Sequence, residues 1–222
     1  MNTSYMDNPE AGRDQMIAQQ VRTWEVLDLR VLDAMQRVPR ELFVPAALRS
    51  LAYADSELPL PCGKRMLTPM LVGRMLQALE VEAGEQVLEV GTGSGYLSAC
   101  LAAMGARVST LELHEEIAKL ARGNLLAAGI DGVEVLTADG ATLAAESAYA
   151  AIVLTGSLPV YDARFERALK PGGRLFAIVG QAPVMEARLV RRLGAGEFRP
   201  VSLFETSLEA LENVPVPPAF RF

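Results

Sequence analysis

A doubly wound α/β sheet is the fold class this sequence predicts, and three observations predict it. First, Val87, Leu88 and Val90 form a short apolar run that closes on glycines at alternate positions, Gly91, Gly93 and Gly95. Leu97, Cys100 and Leu101 follow at i, i+3, i+4 spacing, so the stretch reads as buried strand, tight turn and helix start. Second, two more strand patterns follow at intervals that leave room for helices between them. Arg107–Glu112 alternates apolar with polar residues, and Val133–Thr137 is strand-like and leads into Asp139-Gly140. Third, the chain has 222 residues, half of them hydrophobic, which is enough core for a single α/β unit with additions.

The ligand of the glycine turn follows from its spacing and from the acid before it. A dinucleotide fingerprint needs glycines at positions one, three and six. Here they fall at one, three and five, and Tyr96 takes the sixth place. Glu89, two residues ahead of Gly91, would repel a pyrophosphate but suits a cationic centre such as an α-amino group or a sulfonium. Glu-x-Gly-x-Gly-x-Gly at the end of a first strand resembles motif I of the S-adenosylmethionine-dependent methyltransferases. Glu112 stands 21 positions after Gly91, where a carboxylate accepts from a ribose hydroxyl pair; the alternative is an ordinary surface acid. Asp139 either accepts from an adenine amino group or caps the next helix.

Composition narrows the partners. A net charge of −6 and a pI near 5.0 argue against nucleic acid, which needs clustered Lys and Arg. No apolar run reaches membrane-spanning length, and Met1-Asn-Thr-Ser-Tyr-Met-Asp lacks the basic and apolar regions of a signal peptide, so a cytoplasmic protein is expected. Two cysteines and one histidine make neither a disulfide framework nor a zinc-ligand cluster, and no motif suggests another metal.

Taken in order, residues 1–12 read as a loose polar leader, and helical spacing begins with Met16, Ile17, Gln20 and Val21. Leu29, Val31, Leu32 and Met35 mark a second helix with Asp28 as its cap, after which the prolines at 39 and 45 forbid a long helix. A Pro-rich stretch from Leu58 to Pro69 precedes a helix with an apolar face of Leu71, Met75, Leu76 and Leu79. Beyond the third strand, Ala151-Ile-Val-Leu154 reads as a buried strand ending at Thr155-Gly156, and residues 165–169 as a short helix stopped by Lys170-Pro-Gly-Gly173. Leu175-Phe-Ala-Ile-Val179 is the next strand. Residues 187–193 and 200–205 suggest an antiparallel hairpin around Gly194-Ala-Gly196, and the proline-rich tail ends in Phe220 and Phe222, expected to pack on a surface.

The first half resembles the protein-L-isoaspartate O-methyltransferase family. The resemblance is carried by Met16-Ile-Ala-Gln-Gln-Val, Val31-Leu-Asp-Ala-Met, Val38-Pro-Arg-Glu-Leu-Phe-Val-Pro45, Ala52-Tyr-Ala-Asp55, Leu58-Pro59 and Leu88-Glu-Val-Gly-Thr-Gly-Ser-Gly-Tyr96, and it spans residues 13 to 180 in unbroken order. It implies a Rossmann-like methyltransferase fold: a seven-stranded, mostly parallel sheet with an antiparallel last strand and an N-terminal helical addition. Residues 1–80 would form the helical and substrate-loop region, packed on the same domain as an 81–222 cofactor-binding core. It further implies S-adenosyl-L-methionine as cofactor, S-adenosyl-L-homocysteine as product, and damaged proteins carrying isoaspartyl residues as partners. A monomer or weak homodimer is expected. The implied cofactor-binding set is Glu89, Gly91, Thr92, Gly93, Ser94, Gly95, Tyr96, Glu112, Leu113, Asp139, Gly140 and Thr155.

The substrate loop departs from the family pattern. Where Gly-Gln-Thr-Ile-Ser-x-Pro is usual, this chain has Gly63-Lys-Arg-Met-Leu67-Thr68-Pro69. Leu67 replaces the serine assigned to the reaction centre, and the nearest hydroxyl belongs to Thr68, which becomes the candidate catalytic residue. Lys64, Arg65, Met66 and Leu67 form the candidate substrate loop. Lys64 and Arg65 are either a solvated pair or a lure for an anionic substrate. The family's Phe-Asp-Ala-Ile strand also lacks its acid here, reading Tyr149-Ala-Ala-Ile152. Two alternatives stay open: a relative with another acceptor, and a cofactor-binding protein without turnover. A carboxylate acceptor is ionised at pH 7 and needs positioning more than a general base. That suits a chain whose one histidine, His114, reads as a surface or helix-capping residue.

Overall fold

The computed structural model describes residues 8–218. The first helix, α1 (Pro9–Met16), starts earlier than the spacing predicts: Asn8 caps it by accepting from the Ala11 amide at 3.1 Å, and Pro9 occupies the first turn. An Asn-Pro pair that reads as a breaker is here a helix start. Of the expected loose leader, residues 1–7 lie outside the described residues, as do Phe220 and Phe222. The chain continues through a π turn and a 3-10 turn to Glu25, which ends the run in the left-handed conformation. Asp28 caps α2 (Leu29–Arg37) as the sequence suggests, and two 3-10 turns follow where the prolines forbid a longer helix.

A small hairpin of β1 (Leu58–Pro59) and β2 (Arg65–Met66) carries the candidate substrate loop and leads into α3 (Pro69–Leu79). The main unit then alternates: β3 (Gln86–Val90), α4 (Tyr96–Ala103), β4 (Arg107–Glu112), α5 (Glu115–Ala127) and β5 (Val133–Thr137). It closes with β6 (Tyr149–Leu158), α6 (Ala163–Arg167), β7 (Leu169–Gln181), β8 (Val184–Gly194) and β9 (Glu197–Thr206). The seven-stranded sheet has the order β5-β4-β3-β6-β7-β8-β9. β3 to β7 run parallel, and the last two joins are antiparallel, the β8–β9 turn falling at Gly194–Glu197.

Two strands are longer than their apolar runs. β7 starts at Leu169, because Lys170–Gly173 bulges between the Tyr149–Leu169 and Ala151–Arg174 pairs and does not end the ladder. β6 passes beyond Thr155 to Leu158, with an irregular register between Val153 and Ser157. That irregularity holds Leu154–Gly156 at the carboxyl edge of the sheet.

Alternate residues feed two cores. Val87, Val108, Val153, Phe176 and Ile178 pack with Met16, Met35, Phe43, Met75 and Leu101 of the N-terminal region and α4. Leu88, Val90, Ile152, Leu154 and Leu175 face Phe165 of α6 and Val214. Arg174 joins the layers: it donates to the Leu79 and Glu80 carbonyls at the end of α3 and pairs with both oxygens of Glu85. The chain adds β4 and β5 on one side of β3 and then crosses to place β6 on the other. The crevice beyond the carboxyl ends of β3, β4 and β6 is therefore the topological switch point, where open α/β sheets bind ligands.

Candidate active site

The turn after β3 is built from residues that keep its surface bare. Gly91, Gly93 and Gly95 all have positive φ, at 94°, 54° and 86°. A Cβ on Gly91 would stand 2.2 Å from Thr155 Oγ1, which donates to the Val90 carbonyl at 3.0 Å and to the Gly91 carbonyl at 2.5 Å. Thr92 shares a 2.7 Å hydrogen bond with Thr110, and the Ser94 carbonyl accepts from Asn124 at 2.9 Å. The turn is thus fixed from β4, β6 and α5 at once.

Glu89 lies fully buried at the end of β3. One carboxylate oxygen accepts from the Ser98 hydroxyl, while Oε1 has no hydrogen-bond partner. Burial pushes its pKa up to about 8, and the nearby Glu112 adds to the rise against the Ser98 and Thr110 hydroxyls. Glu112 ends β4 with both oxygens engaged: Gly93 N–H donates to Oε2 at 3.0 Å and His114 N–H to Oε1 at 3.1 Å. Each oxygen keeps lone-pair capacity for a further donor. Asp139 Oδ1 accepts from the Ala141 amide at 2.8 Å and Oδ2 from Asn213 at 2.9 Å, so it caps the 140–142 turn and lines the crevice as well. Gly140 has no room for a side chain, since a Cβ would meet Val90 Cγ1 at 2.3 Å.

Two adjoining clefts open here. The larger, of about 900 Å³ and open to solvent, is lined by Gly91, Gly93, Glu112, Leu113, Ile117, Asp139, Gly140 and Thr155, with Lys64, Arg65 and Leu67 across from them. The smaller, of about 350 Å³, adds Glu89, Thr92, Ser94, Tyr96, Met66 and Arg40. Gly91, Gly93, Thr155, Arg65 and Leu67 belong to both. Every candidate residue lines one cleft or the other except Gly95 and Thr68. Gly95 begins α4, and a Cβ there would touch Ala121 and Leu125 of α5. The Thr68 hydroxyl caps α3, accepting from Leu71 N–H at 3.3 Å, and Thr68 is not among the residues lining either cleft, although its neighbour Leu67 lines both.

Sequence reasoning missed one wall altogether. Residues 208–213 form a strap across the larger cleft, pinned to β6 where Ser157 N–H donates to the Glu209 carbonyl at 2.8 Å and Leu211 N–H to the Ser157 carbonyl at 2.9 Å. Lys64 reaches from the loop to Glu209 at 2.6 Å and Glu212 at 2.9 Å, and His114 Nε2 meets Glu212 at 2.8 Å. Burial works against the Lys64 charge, but the two carboxylates outweigh it and hold the ammonium above its usual range. Arg65 is left as the exposed cation of the loop, with Glu57 at 3.9 Å. No pattern in 207–213 announces a strap, because its bonds are to residues 23 or more positions away.

The site fits the cofactor that the sequence resemblance implies. An unpartnered acid oxygen, a bare glycine turn, a second acid at the lip and a third at Asp139 suit an amino-acid end, a sulfonium, a ribose and a purine in turn. The family model described as protein-L-isoaspartate(D-aspartate) O-methyltransferase matches residues 11–206. A protein-L-isoaspartate O-methyltransferase of Koribacter versatilis is 40% identical over 192 residues, covering 86% of each chain. One from Aeropyrum pernix is 40% identical over 193 residues, 85% of this chain and 74% of that protein. Among solved structures, a Plasmodium falciparum protein described as a putative member, in complex with S-adenosyl-L-homocysteine, superposes with a TM-score of 0.77 at 17% identity, covering 92% of this chain and 98% of that one. A second protein-L-isoaspartate O-methyltransferase gives 0.78 at 22% identity over 89% of this chain and 65% of its own. With a family match over residues 11–206 and these relatives, the chain belongs to the protein-L-isoaspartate(D-aspartate) O-methyltransferase family.

Proposed function

We propose that this protein transfers a methyl group from S-adenosyl-L-methionine to the carboxyl group of isoaspartyl residues in damaged proteins, releasing S-adenosyl-L-homocysteine. The observation that carries the cofactor reading is the lone Oε1 of Glu89, buried beside a turn whose alternate residues are glycines. When bound, the cofactor supplies a methyl group activated on a sulfonium. The chain's own residues then have three tasks. Glu89 faces the cationic end, Glu112 accepts from the ribose hydroxyls, and Asp139 with Gly140 borders the base. Leu113, Thr92, Ser94, Tyr96 and Thr155 complete the walls.

The acceptor carboxylate is already ionised at neutral pH, so the loop must orient it and no base is needed. Arg65 lines both clefts and is the loop cation left free of the strap, so it draws the acceptor's negative charge. Leu67 presents an apolar side chain where the family has serine, and Thr68 serves the loop by fixing the start of α3. Replacing Arg65 with Ala should raise the acceptor KM several-fold and leave cofactor affinity unchanged; equal loss of both would contradict its role. Leu67 also favours a second reading, the same chemistry on a different acceptor.

Labelled S-adenosyl-L-methionine offered with an isoaspartyl peptide and its aspartyl twin tests the assignment. Base-labile label on the isoaspartyl peptide alone supports it, and cofactor binding without transfer to that peptide moves the case to the second reading. Free cysteines at 62 and 100 agree with a cytoplasmic setting, and no helix among the described residues is long and apolar enough to cross a membrane. A monomer or weak homodimer is the assembly expected from light scattering.

A further inference from the structure

Arg40 and Arg174 are both buried arginines, and the chain treats them in opposite ways. Arg174 is neutralised by a two-pronged pair with Glu85 at 2.6 and 2.7 Å. Arg40 is fully buried and has no carboxylate within ion-pair distance among the described residues. Its Nε donates to the Ala52 carbonyl at 2.9 Å, its Nη2 to the Leu67 carbonyl at 2.8 Å, and its guanidinium lies 4.7 Å from the centre of the Tyr96 ring. Its Nη1 donates to nothing. A buried cation without a counter-ion is costly, and an unpartnered buried donor adds to that cost.

The smaller cleft explains the asymmetry. It is lined by Arg40 and by Glu89, so a fully buried cation and a fully buried acid border the same space. Each has one polar atom without a partner. We propose that Arg40 receives a ligand carboxylate in this cleft, beside the cationic centre that Glu89 takes. The inference rests on the cofactor reading above. Two carboxylates are candidates for this contact, that of the cofactor's amino-acid end and that of the isoaspartyl acceptor. The first carries ammonium and carboxylate on one carbon, matching Glu89 and Arg40 together, and is the better fit. Through Nη2 on the Leu67 carbonyl, the same guanidinium ties the ligand to the substrate loop. An arginine suits the task because its planar fork holds a backbone carbonyl and a carboxylate at once.

The test is calorimetric binding of S-adenosyl-L-homocysteine, and of its decarboxylated analogue that keeps the amino group, to wild type, Arg40→Met and Arg40→Lys. We expect Arg40→Met to weaken the complete product at least tenfold and the decarboxylated analogue less than twofold, with Arg40→Lys between. Unchanged product affinity with a tenfold rise in the isoaspartyl-peptide KM would assign the same contact to the acceptor. Equal weakening of both cofactor ligands, or no change in either affinity or in KM, overturns the proposal. Should the variants not fold, the arginine side-chain nitrogen resonances of the wild-type protein decide. The Arg40 signal must move with the complete product and stay with the decarboxylated one; the same response to both overturns the proposal. Wild type that binds neither ligand would instead remove the cofactor reading on which the inference stands.

Discussion

Glu89 holds its proton where an exposed glutamate would not, and that has a measurable cost in folding. In the unfolded chain the group ionises near its usual value of 4.5, whereas burial in the folded protein raises it to about 8. Between those pH values the folded state carries the extra proton, so stability falls as pH rises, by up to about 1.4 kcal/mol per unit. The contribution is complete below the lower value and lost above the upper one. Urea unfolding at pH 5.5 and 7.5 should therefore show a drop in the wild type that Glu89→Gln removes; parallel drops in both would refute this account. Gly91→Ala and Gly140→Ala should each cost about 1–3 kcal/mol, since the added carbon meets Thr155 and Val90 at 2.2 and 2.3 Å. Unfolding midpoints give that figure directly. At this scale Glu89 and the glycines were legible in the sequence, because a strand end and a turn impose their needs locally. Arg40 was legible only as part of a motif, because its partners are carbonyls 12 and 27 residues away and a ring on another helix.

The elements that bear on the site are the hairpin of β1 and β2, the start of α3, and the strap. Removing the Thr68 hydroxyl takes away the cap of α3, so Thr68→Ala should lose about 1 kcal/mol of stability and Thr68→Ser should keep most of it. A kcat that falls far more than twofold in the alanine variant, with folding intact, would return the hydroxyl to the reaction centre. The strap makes a different demand. Lys64 joins loop to strap through Glu209 and Glu212, and all three side chains are partly exposed. Lys64→Ala should speed release of labelled S-adenosyl-L-homocysteine by several-fold at low ionic strength, with a smaller effect in high salt because exposed pairs are screened. Equal release rates at low salt would mean that the strap is held by its other bonds, to Ser157, His114 and Asp139. Helix periodicity placed α2 and α3 well. It misplaced the start of α1, where a capping asparagine and a first-turn proline look the same as a loop.

For the whole molecule, the N-terminal helices and the sheet share one apolar cluster, reaching from Met16 and Phe43 to Val153 and Ile178. The chain should therefore unfold as one unit. Its one tryptophan, Trp24, belongs to the N-terminal region and the sheet dominates the remainder, so Trp24 emission and far-ultraviolet circular dichroism should share one denaturant midpoint. Separated midpoints would divide the chain near residue 80. Strand identity could be read from alternation and apolar runs, but strand neighbours could not. Alternation says which face a residue takes and nothing about which strand lies beside it. The resemblance to a known family supplied the seven-stranded sheet and the N-terminal addition.

The strap also shows how shape and site divide the chain between them. Residues 208–212 are made after all seven strands, yet they form a wall of the cleft whose opposite side includes Lys64 and Arg65. The sheet sets the shape and the strap completes the mouth, so a copy cut after Thr206 would keep every strand and lack one wall of the cleft.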